Sequence, residues 1–487
     1  MSADSAVILD VRAPLTFQPE REYVIRTVFE HFLGQRVLLR HEPRANTVVR
    51  VGEDASELVL EDGLFAIEPG EWLSSRTVPE ELMASWAPPP SLRGSFRHAT
   101  IPIFFASPSP SGQFAQLGPT RIRLTLDVLG TVFYLLTRYE EVAQPVHDAR
   151  SRYPSSAALL TRSSLLHRPV VDEYVELVWT AMSLLWRQLR RAERSYRFIL
   201  THDVDRPLCV DGAPYGEVGR QVMGDLVRRK DLHLAARRLR SLIETRTSGA
   251  RADLCNNFSW IMGESERRGI RSEFYFLSRT GQPIDANYSP YDAPIASTMR
   301  EINARGHAIG LHPSYDSYTS ADRIASEFTH LREAAEQMGI EQETWGGRQH
   351  YLRWKAPETW QHWSDAGLAF DSTVGFADAA GFRCGTCVEF PVFNLRTRRQ
   401  LALRERPLIV MEETLLSEVY AGLSRSAALS VIEVLADECK HHNGDFVMLW
   451  HNSSLLSRRD RRAYCAALDA AAQGGAAKQQ SRLVPHA

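Results

Sequence analysis

Features that would carry this 487-residue sequence across a membrane or direct it to nucleic acid are absent. The longest strongly apolar stretch, residues 124–136, contains Asp127 and Gly130 and falls short of the ~20 residues that a spanning helix needs. The first residues have neither a basic start nor an apolar segment, so we expect no secretory signal and a cytoplasmic protein. Lys plus Arg (57) and Asp plus Glu (59) nearly cancel, which gives no support for a nucleic-acid partner.

Cysteine is also scarce, and the six residues present are scattered along the chain. In a reducing compartment such cysteines are more often free thiols than a disulfide framework. Cys384 and Cys387 have the C-x-x-C spacing, but no second pair completes a four-cysteine zinc site. We therefore interpret this segment as a loop or a strand edge.

The length predicts two domains rather than one core, and the sequence pattern changes near residue 195. Before that point, short β-branched runs alternate with turns and two helices are predicted, which indicates an N-terminal α+β domain of residues 1–194. After it, over residues 195–469, apolar runs of strand length alternate with helical patterns, as in β/α units around a parallel sheet. Residues 470–487 are rich in Ala, Gly and Gln and predict a disordered tail.

The second domain is predicted to contain eight strands and the helices between them. This alternation indicates an α/β fold of the (β/α) barrel type, distorted or incompletely closed. The predicted strands are 196–200, 273–277, 308–311, 344–348, 369–371, 388–393, 408–411 and 446–450. The predicted helices include 257–268, 294–305, 321–338, 357–366 and 425–441. A basic run at 228–240 also looks helical, and we interpret it as a solvated helix face.

Polar residues with useful chemistry follow several of the predicted strands. A pair of carboxylates can divide the work between holding a metal and accepting a proton, and an imidazole can act as a general acid. Each residue alone is equally compatible with a turn, a cap or a structural hydrogen bond. Together they fall in four β/α units, whose strand ends converge on one face of a barrel. These residues are Asp203, Asp205, His312, Arg348, His350 and His451.

The order of these motifs resembles the polysaccharide deacetylases of carbohydrate esterase family four. The motifs are Thr-x-Asp-x-Asp, Gly-His-x-Ile-Gly-x-His, Arg-x-His-Tyr and an apolar strand ending in Trp-His, between about residues 196 and 455. More narrowly, the chain resembles a branch found with bacterial surface-polysaccharide genes, in which an accessory domain precedes the deacetylase domain. The segment Phe-Tyr-Leu-Leu-Thr-Arg-Tyr-Glu-Glu at 133–141 carries that part of the resemblance.

The resemblance implies a role for each matching residue. Asp203 corresponds to the general base and Asp205 to a metal ligand. His312 corresponds to the first histidine of the family's His-x-x-x-His metal motif. Arg348 corresponds to the arginine that orients the catalytic aspartate, and His451 to the histidine that protonates the departing amine.

Two positions depart from the family pattern and leave the third metal ligand open. Asp316 stands where the second metal histidine is expected, and His350 replaces a proline. An Asp-His-Asp set that includes Asp316 suits Zn2+, with Mn2+ or Co2+ as alternatives. In a second arrangement His350 completes the site while Asp316 caps a turn. In a third, the metal site is lost and the fold only binds sugar.

The function predicted from these features is metal-dependent removal of an N-acetyl group from an amino sugar or its precursor. The predicted cytoplasmic location favours an activated or lipid-linked sugar over mature wall polymer. Tyr351 and Trp450 are predicted to contact the substrate, whereas core packing explains most of the other tryptophans better. The alternatives are a non-catalytic carbohydrate-binding or scaffolding protein on the same fold, and a hydrolase of another non-peptide amide.

Overall fold

The computed structural model describes residues 7–107, 113–278, 284–285 and 288–473, in which strands and helices alternate along the chain. The strands are β1 Ile8–Pro14, β2 Arg36–Glu42, β3 Thr47–Val51, β4 Glu57–Leu60, β5 Ala84–Trp86, β6 Ile101–Ile103, β7 Ala115–Leu117, β8 Arg121–Leu124, β9 Arg197–Val204, β10 Glu273–Phe276, β11 Ala308–Leu311, β12 Gly346–Gly347, β13 Phe370–Asp371, β14 Phe390–Asn394, β15 Arg399–Glu405, β16 Val410–Met411 and β17 Asp445–Leu449.

Helices pack against each of the two sheets described below. The helices are α1 Gln18–Ile25, α2 Val128–Leu136, α3 Tyr139–Ala143, α4 Leu159–Arg162, α5 Val170–Leu185, α6 Tyr215–Val227, α7 Leu232–Ser248, α8 Phe258–Glu266, α9 Ala293–Ala304, α10 Ala321–Gln337, α11 Glu358–Asp365, α12 Glu412–Leu416, α13 Arg425–His441 and α14 Arg458–Ala472. None of the helices in the described ranges has the length and hydropathy to cross a membrane.

The first sheet has six strands in the order β2-β1-β3-β4-β8-β7 and is mixed. The pairs β1–β2 and β4–β8 are parallel, and the other three pairs are antiparallel. Apolar side chains on β1 and β4 are buried; α5 packs against β4 and β8, and α2 packs against α5. The sheet uses only residues before the predicted boundary at 195.

The second sheet has nine strands in the order β14-β15-β13-β12-β11-β10-β9-β17-β16. Eight of the strands, β15 through β16 in this order, run parallel, and only β14 is antiparallel to its neighbour. The α/β class with a parallel sheet is therefore confirmed. No backbone pairing joins β14 to β16 among the described residues, and closure into a barrel stays a prediction.

All eight strands predicted after residue 195 are present, with ends shifted by a few residues. The helix predicted at 425–441 has those bounds, because Ser424 caps its first turn by accepting a hydrogen bond from the N–H of Ala427. Strand β15 was not predicted, because alternating charged residues hide its apolar positions. The last helix extends to Ala472, three residues into the predicted tail, and residues 474–487 of that tail lie outside the described residues.

The segment 133–141 joins the N-terminal part of the chain to the second sheet. The carboxylate of Glu141 accepts hydrogen bonds from Arg138 Nε at 2.8 Å and from Arg383 Nη2 at 2.6 Å, and all three side chains are buried. Cys384 and Cys387 lie beside this contact in a buried loop, where the carbonyl of Gly385 accepts a hydrogen bond from the N–H of Val171. The C-x-x-C segment therefore belongs to the contact between the two parts.

Candidate active site

Most of the candidate site residues predicted from the sequence lie together at the carboxyl ends of neighbouring parallel strands. Strand β9 carries Asp203 and leads directly to Asp205, β11 leads to His312, and β17 ends one residue before Trp450-His451. Strand β12 leads to Arg348 and His350. Carboxyl ends of parallel strands meet at one edge of a sheet, which brings residues far apart in sequence into one cavity. That cavity has a volume of about 530 Å³.

The alternation of side chains along β9 decides which of its residues face this cavity. Thr201 and Asp203 point to the same side, and both accept hydrogen bonds from Arg348 Nη1, each at 2.9 Å. His202 points to the opposite side, stacks on Phe274 and hydrogen-bonds through Nδ1 to the carbonyl oxygen of Trp450 at 2.7 Å. Burial lowers the pKa of His202 to about 3, so this imidazole is neutral and structural.

Arg348 is fully buried and holds Asp203 from one side. Its Nε donates to the carbonyl oxygen of Ser372 at 2.8 Å, and its Nη2 donates to the hydroxyl of the same residue at 3.0 Å. Its Nη1 lies 2.9 Å from Asp203 Oδ1. The guanidinium is therefore fixed by several partners, and Asp203 keeps a cation beside one oxygen while its other oxygen faces His312 at 3.9 Å.

Asp205, His312 and His350 form a group that can hold a metal ion. One carboxylate oxygen and one ring nitrogen from each histidine all lie within 4.8 Å of one another. His312 Nε2 is 3.1 Å and His350 Nε2 is 3.6 Å from Asp205 Oδ1. Both histidines are buried, and the Asp205 side chain is about one third exposed, at 31%. One carboxylate and two imidazoles are a ligand set that divalent zinc, manganese and cobalt accept.

The outer nitrogens of both histidines are already engaged, which fixes how the inner nitrogens point. His312 Nδ1 lies 2.6 Å from the carbonyl oxygen of Arg348, and His350 Nδ1 lies 3.0 Å from Asp285 Oδ1. Since carbonyl and carboxylate oxygens only accept, each Nδ1 must donate. In a neutral ring the Nε2 lone pair then faces Asp205 Oδ1, which has no hydrogen bond of acceptable geometry. Acceptors that face each other in this way fit a shared cation.

A second imidazole–carboxylate pair stands on the other side of Asp205. His451 Nδ1 and its backbone N–H both lie within hydrogen-bonding distance of Glu412 Oε1, at 2.8 and 2.9 Å. His451 Nε2 is 3.6 Å from Asp205 Oδ2. Glu412 is buried at the start of α12, directly after β16, and it therefore orients the imidazole towards the cavity.

The titration behaviour of these groups follows from their mutual proximity. Burial alone would lower the pKa of His312 and of His451, but neighbouring carboxylates reverse the direction. Asp203 and Asp205 raise the pKa of His312, and Glu412 holds the pKa of His451 well above its ordinary value. Burial would raise the pKa of Asp205, but the surrounding imidazoles hold it well below the usual range. Without a metal, a proton on His312 therefore balances part of the carboxylate charge, and a metal bound there would displace that proton.

Asp316 does not belong to this group of ligand atoms. Its Oδ1 accepts a hydrogen bond from Arg353 Nη1 at 2.8 Å, and its side chain is 40% exposed. Arg353 is itself held between the rings of Tyr315 and Tyr318, at 3.9 and 4.2 Å from their centroids. The structure thus places His350 beside Asp205 and His312, as in the second of the three arrangements considered from the sequence.

Tyr351 and Trp450 both line the cavity. Tyr351 has a left-handed backbone with a φ of 60°, and its ring lies 4.7 Å from that of His350. Trp450 is buried and packs its ring against that of Tyr464, with the ring centroids 5.2 Å apart. Trp354 is buried in the core, as the sequence analysis expected for most tryptophans.

Two residues of the site were missed by the sequence analysis. Glu412 follows the predicted strand 408–411 directly, so the rule that identified the other strand-end residues would have found it. Asp285 lies in the segment between β10 and α9, where no periodic pattern marks it. Only the contact with His350 identifies it.

A second group of potential ligands lies at the rim of the cavity and consists of Cys209, Asp253 and Cys255. The carboxylate of Asp253 accepts hydrogen bonds from backbone N–H groups of residues 209–211 and from that of Cys255. These bonds occupy both oxygens and tie two loops together, so Asp253 has a structural role.

A known protein family and a solved structure are each similar to part of the chain. Residues 9–187 match the model of a family of unknown function, DUF7033. No curated protein matches the chain. Among solved structures, the chain is similar to a Mycobacterium smegmatis protein provisionally described as a polysaccharide deacetylase, with a TM-score of 0.37 and 13% identity. That similarity covers 59% of this chain and 87% of the other, and it does not by itself assign a function.

Proposed function

We propose that the chain is a metal-dependent hydrolase that removes an N-acetyl group from an amino sugar or a sugar precursor of bacterial surface polysaccharide. The observation that carries the proposal is the convergence of Asp205, His312 and His350 into one ligand group beside Asp203. The metal is proposed to be zinc, with manganese or cobalt as alternatives, because all three accept this donor set. When bound, such an ion supplies a Lewis acid that polarises the amide carbonyl and acidifies the attacking water.

The protein's own residues have the remaining tasks in this proposal. Asp203 is the general base that takes the proton of the water, and Arg348 holds its carboxylate in place at 2.9 Å. His451 gives a proton to the departing amine, and Glu412 keeps that imidazole oriented and protonated. The cavity, at about 530 Å³, is large enough to take a sugar residue, and Tyr351 and Trp450 lie on its wall.

Metal content and acetate release from the purified chain test the proposal. Protein purified without chelators is expected to hold about one equivalent of metal and to release acetate from at least one member of a panel of N-acetylated nucleotide sugars. Asp203→Asn is expected to abolish turnover and keep the metal, because this carboxylate acts on the water. Asp205→Asn is expected to lose both metal and turnover. Asp365→Asn, on the exposed end of α11, is the matched control and should change neither.

Three results would each contradict part of the proposal. Retained sugar binding without bound metal would favour a carbohydrate-binding protein on this fold. Loss of metal in Asp203→Asn together with normal metal in Asp205→Asn would reverse the roles of the two carboxylates. Release of ammonia or of an amine from other small amides, without acetate release from any sugar, would assign the same chemistry to a different substrate.

A further inference from the structure

The helical hairpin of α6 and α7, residues 215–248, exposes a concentration of large apolar side chains. The described part of the chain has eighteen such exposed residues, and six of them lie in this hairpin with 47–77% of their surface exposed. The six are Tyr215, Met223, Val227, Leu232, Leu239 and Ile243. Single exposed apolar residues are normal on a protein surface, whereas a cluster indicates an interaction surface.

The spacing of these residues places one apolar stripe along each helix. On α6, Tyr215, Met223 and Val227 are separated by multiples of four, and on α7, Leu239 and Ile243 follow Leu232 by seven and eleven positions. The opposite faces of both helices are buried, so the stripes are not needed for packing the hairpin. At one end the two exposed faces adjoin, because Arg246 Nη2 donates a hydrogen bond to the hydroxyl of Tyr215 at 2.6 Å.

Basic residues flank the apolar stripes. Residues 215–248 contain eight Lys or Arg and four Asp or Glu, a net charge of +4 within a chain whose net charge is −2. Arg220, Arg228, Lys230 and Arg240 are exposed. The sequence pattern of this basic run indicated a solvated helix face. Arg238 is an exception, because it is buried and pairs with Asp225 at 2.7 Å.

The inner side of the same hairpin borders the candidate active site. Gln221 and Arg229 of the α6 region and Leu234 and Arg238 of α7 line the cavity that contains Asp203 and Asp205. The hairpin therefore contributes to the candidate site as well as to the exposed surface.

We propose that the outer face of the α6–α7 hairpin docks on an anionic lipid surface. Apolar stripes flanked by arginine and lysine are the pattern of helices that lie in the plane of a membrane, where apolar side chains enter the acyl boundary and basic ones meet acidic head groups. A second copy of the chain is a poorer occupant, because a symmetric contact would set one +4 hairpin against another. The docking is peripheral and needs no spanning helix.

Binding of the full-length chain to vesicles tests this proposal and requires no enzymatic activity, so its outcome is independent of the proposed function. The protein is expected to co-sediment with phosphatidylglycerol vesicles at low salt, to bind phosphatidylcholine vesicles weakly, and to dissociate as salt is raised. Arg220→Glu/Arg228→Glu is expected to lower partitioning onto anionic vesicles by more than about tenfold. Leu232→Ser/Ile243→Ser is expected to lower it by about tenfold.

The matched control variants change residues of the same kinds elsewhere on the surface. Leu184→Ser/Val434→Ser removes exposed apolar residues from α5 and α13, and Arg300→Glu reverses an exposed charge on α9. Both controls should bind like the wild type, and circular dichroism should show that every variant is folded. The proposal is overturned if the wild type stays in the supernatant, or if hairpin and control variants bind alike. It is also overturned if light scattering shows a dimer that Leu232→Ser/Ile243→Ser dissociates, since a second copy would then cover the face.

Discussion

Replacing Glu141 by glutamine tests whether the contact between the two parts of the chain stabilises the whole molecule. The carboxylate of Glu141 accepts hydrogen bonds from Arg138 Nε at 2.8 Å and from Arg383 Nε and Nη2 at 3.0 and 2.6 Å. The side chains are between 0 and 4% exposed, so water cannot replace the lost partner. Removing one member of such a buried network costs about 3–5 kcal/mol, because the remaining charges stay buried without compensation.

The same contact predicts how the effect depends on pH. Burial would raise the pKa of Glu141, but Arg383 and Arg138 outweigh it and hold the pKa below the ordinary value of 4.5. A carboxyl whose pKa is lower in the folded state stabilises above its unfolded pKa and loses that contribution as pH falls through its folded pKa. The difference in unfolding free energy between the wild type and Glu141→Gln should therefore be full at pH 7 and shrink below about pH 4.

Urea unfolding followed by tryptophan fluorescence measures this difference. Glu336→Gln is the control, because Glu336 forms an exposed ion pair with Arg332. Their side chains are 66% and 51% exposed, so this pair contributes at most about 0.5 kcal/mol. A destabilisation by Glu141→Gln of less than about 1 kcal/mol at pH 7 would refute the reasoning. A difference that stays constant down to pH 3 would also refute it, since the carboxylate charge would then not be responsible.

Three further predictions concern the active-site edge of the second sheet. His350→Asn should lower the affinity for zinc by at least about 100-fold, whereas Asp316→Asn should leave it unchanged. Competition with a chelating dye measures this affinity, and the opposite pattern would make Asp316 the ligand. Glu412→Gln should lower kcat about 10- to 100-fold, because His451 would be misplaced, and should leave KM and metal content unchanged. A loss of metal would contradict a positioning role for Glu412. Gly347→Ala should destabilise the fold by about 1–3 kcal/mol, because the added Cβ would lie 1.9 Å from the carbonyl oxygen of Leu311. An unchanged midpoint of urea unfolding would contradict that close approach.

The sequence predicted the α/β fold class and the proximity of most candidate site residues, because both depend on local patterns with a simple geometric consequence. Apolar runs of strand length separated by helical patterns can bury their side chains only as a parallel sheet between helices. The carboxyl ends of such strands lie at one edge, so strand-end residues such as Asp203, His312 and His451 come together without further information. Strand β15 was not predicted, because its partly exposed position at the end of the parallel ladder permits charged side chains.

Tertiary structure alone decided which side chains complete the candidate metal group. Asp316 lies in an irregular segment after β11, where no periodicity fixes the direction of a side chain, and Arg353 pairs with its carboxylate. His350 points to Asp205 because the chain turns sharply at Tyr351 and because Asp285, 65 residues earlier, holds its outer nitrogen. Such contacts depend on how loops from different strands pack, and that packing is set by the assembled sheet rather than by the spacing of residues in one segment.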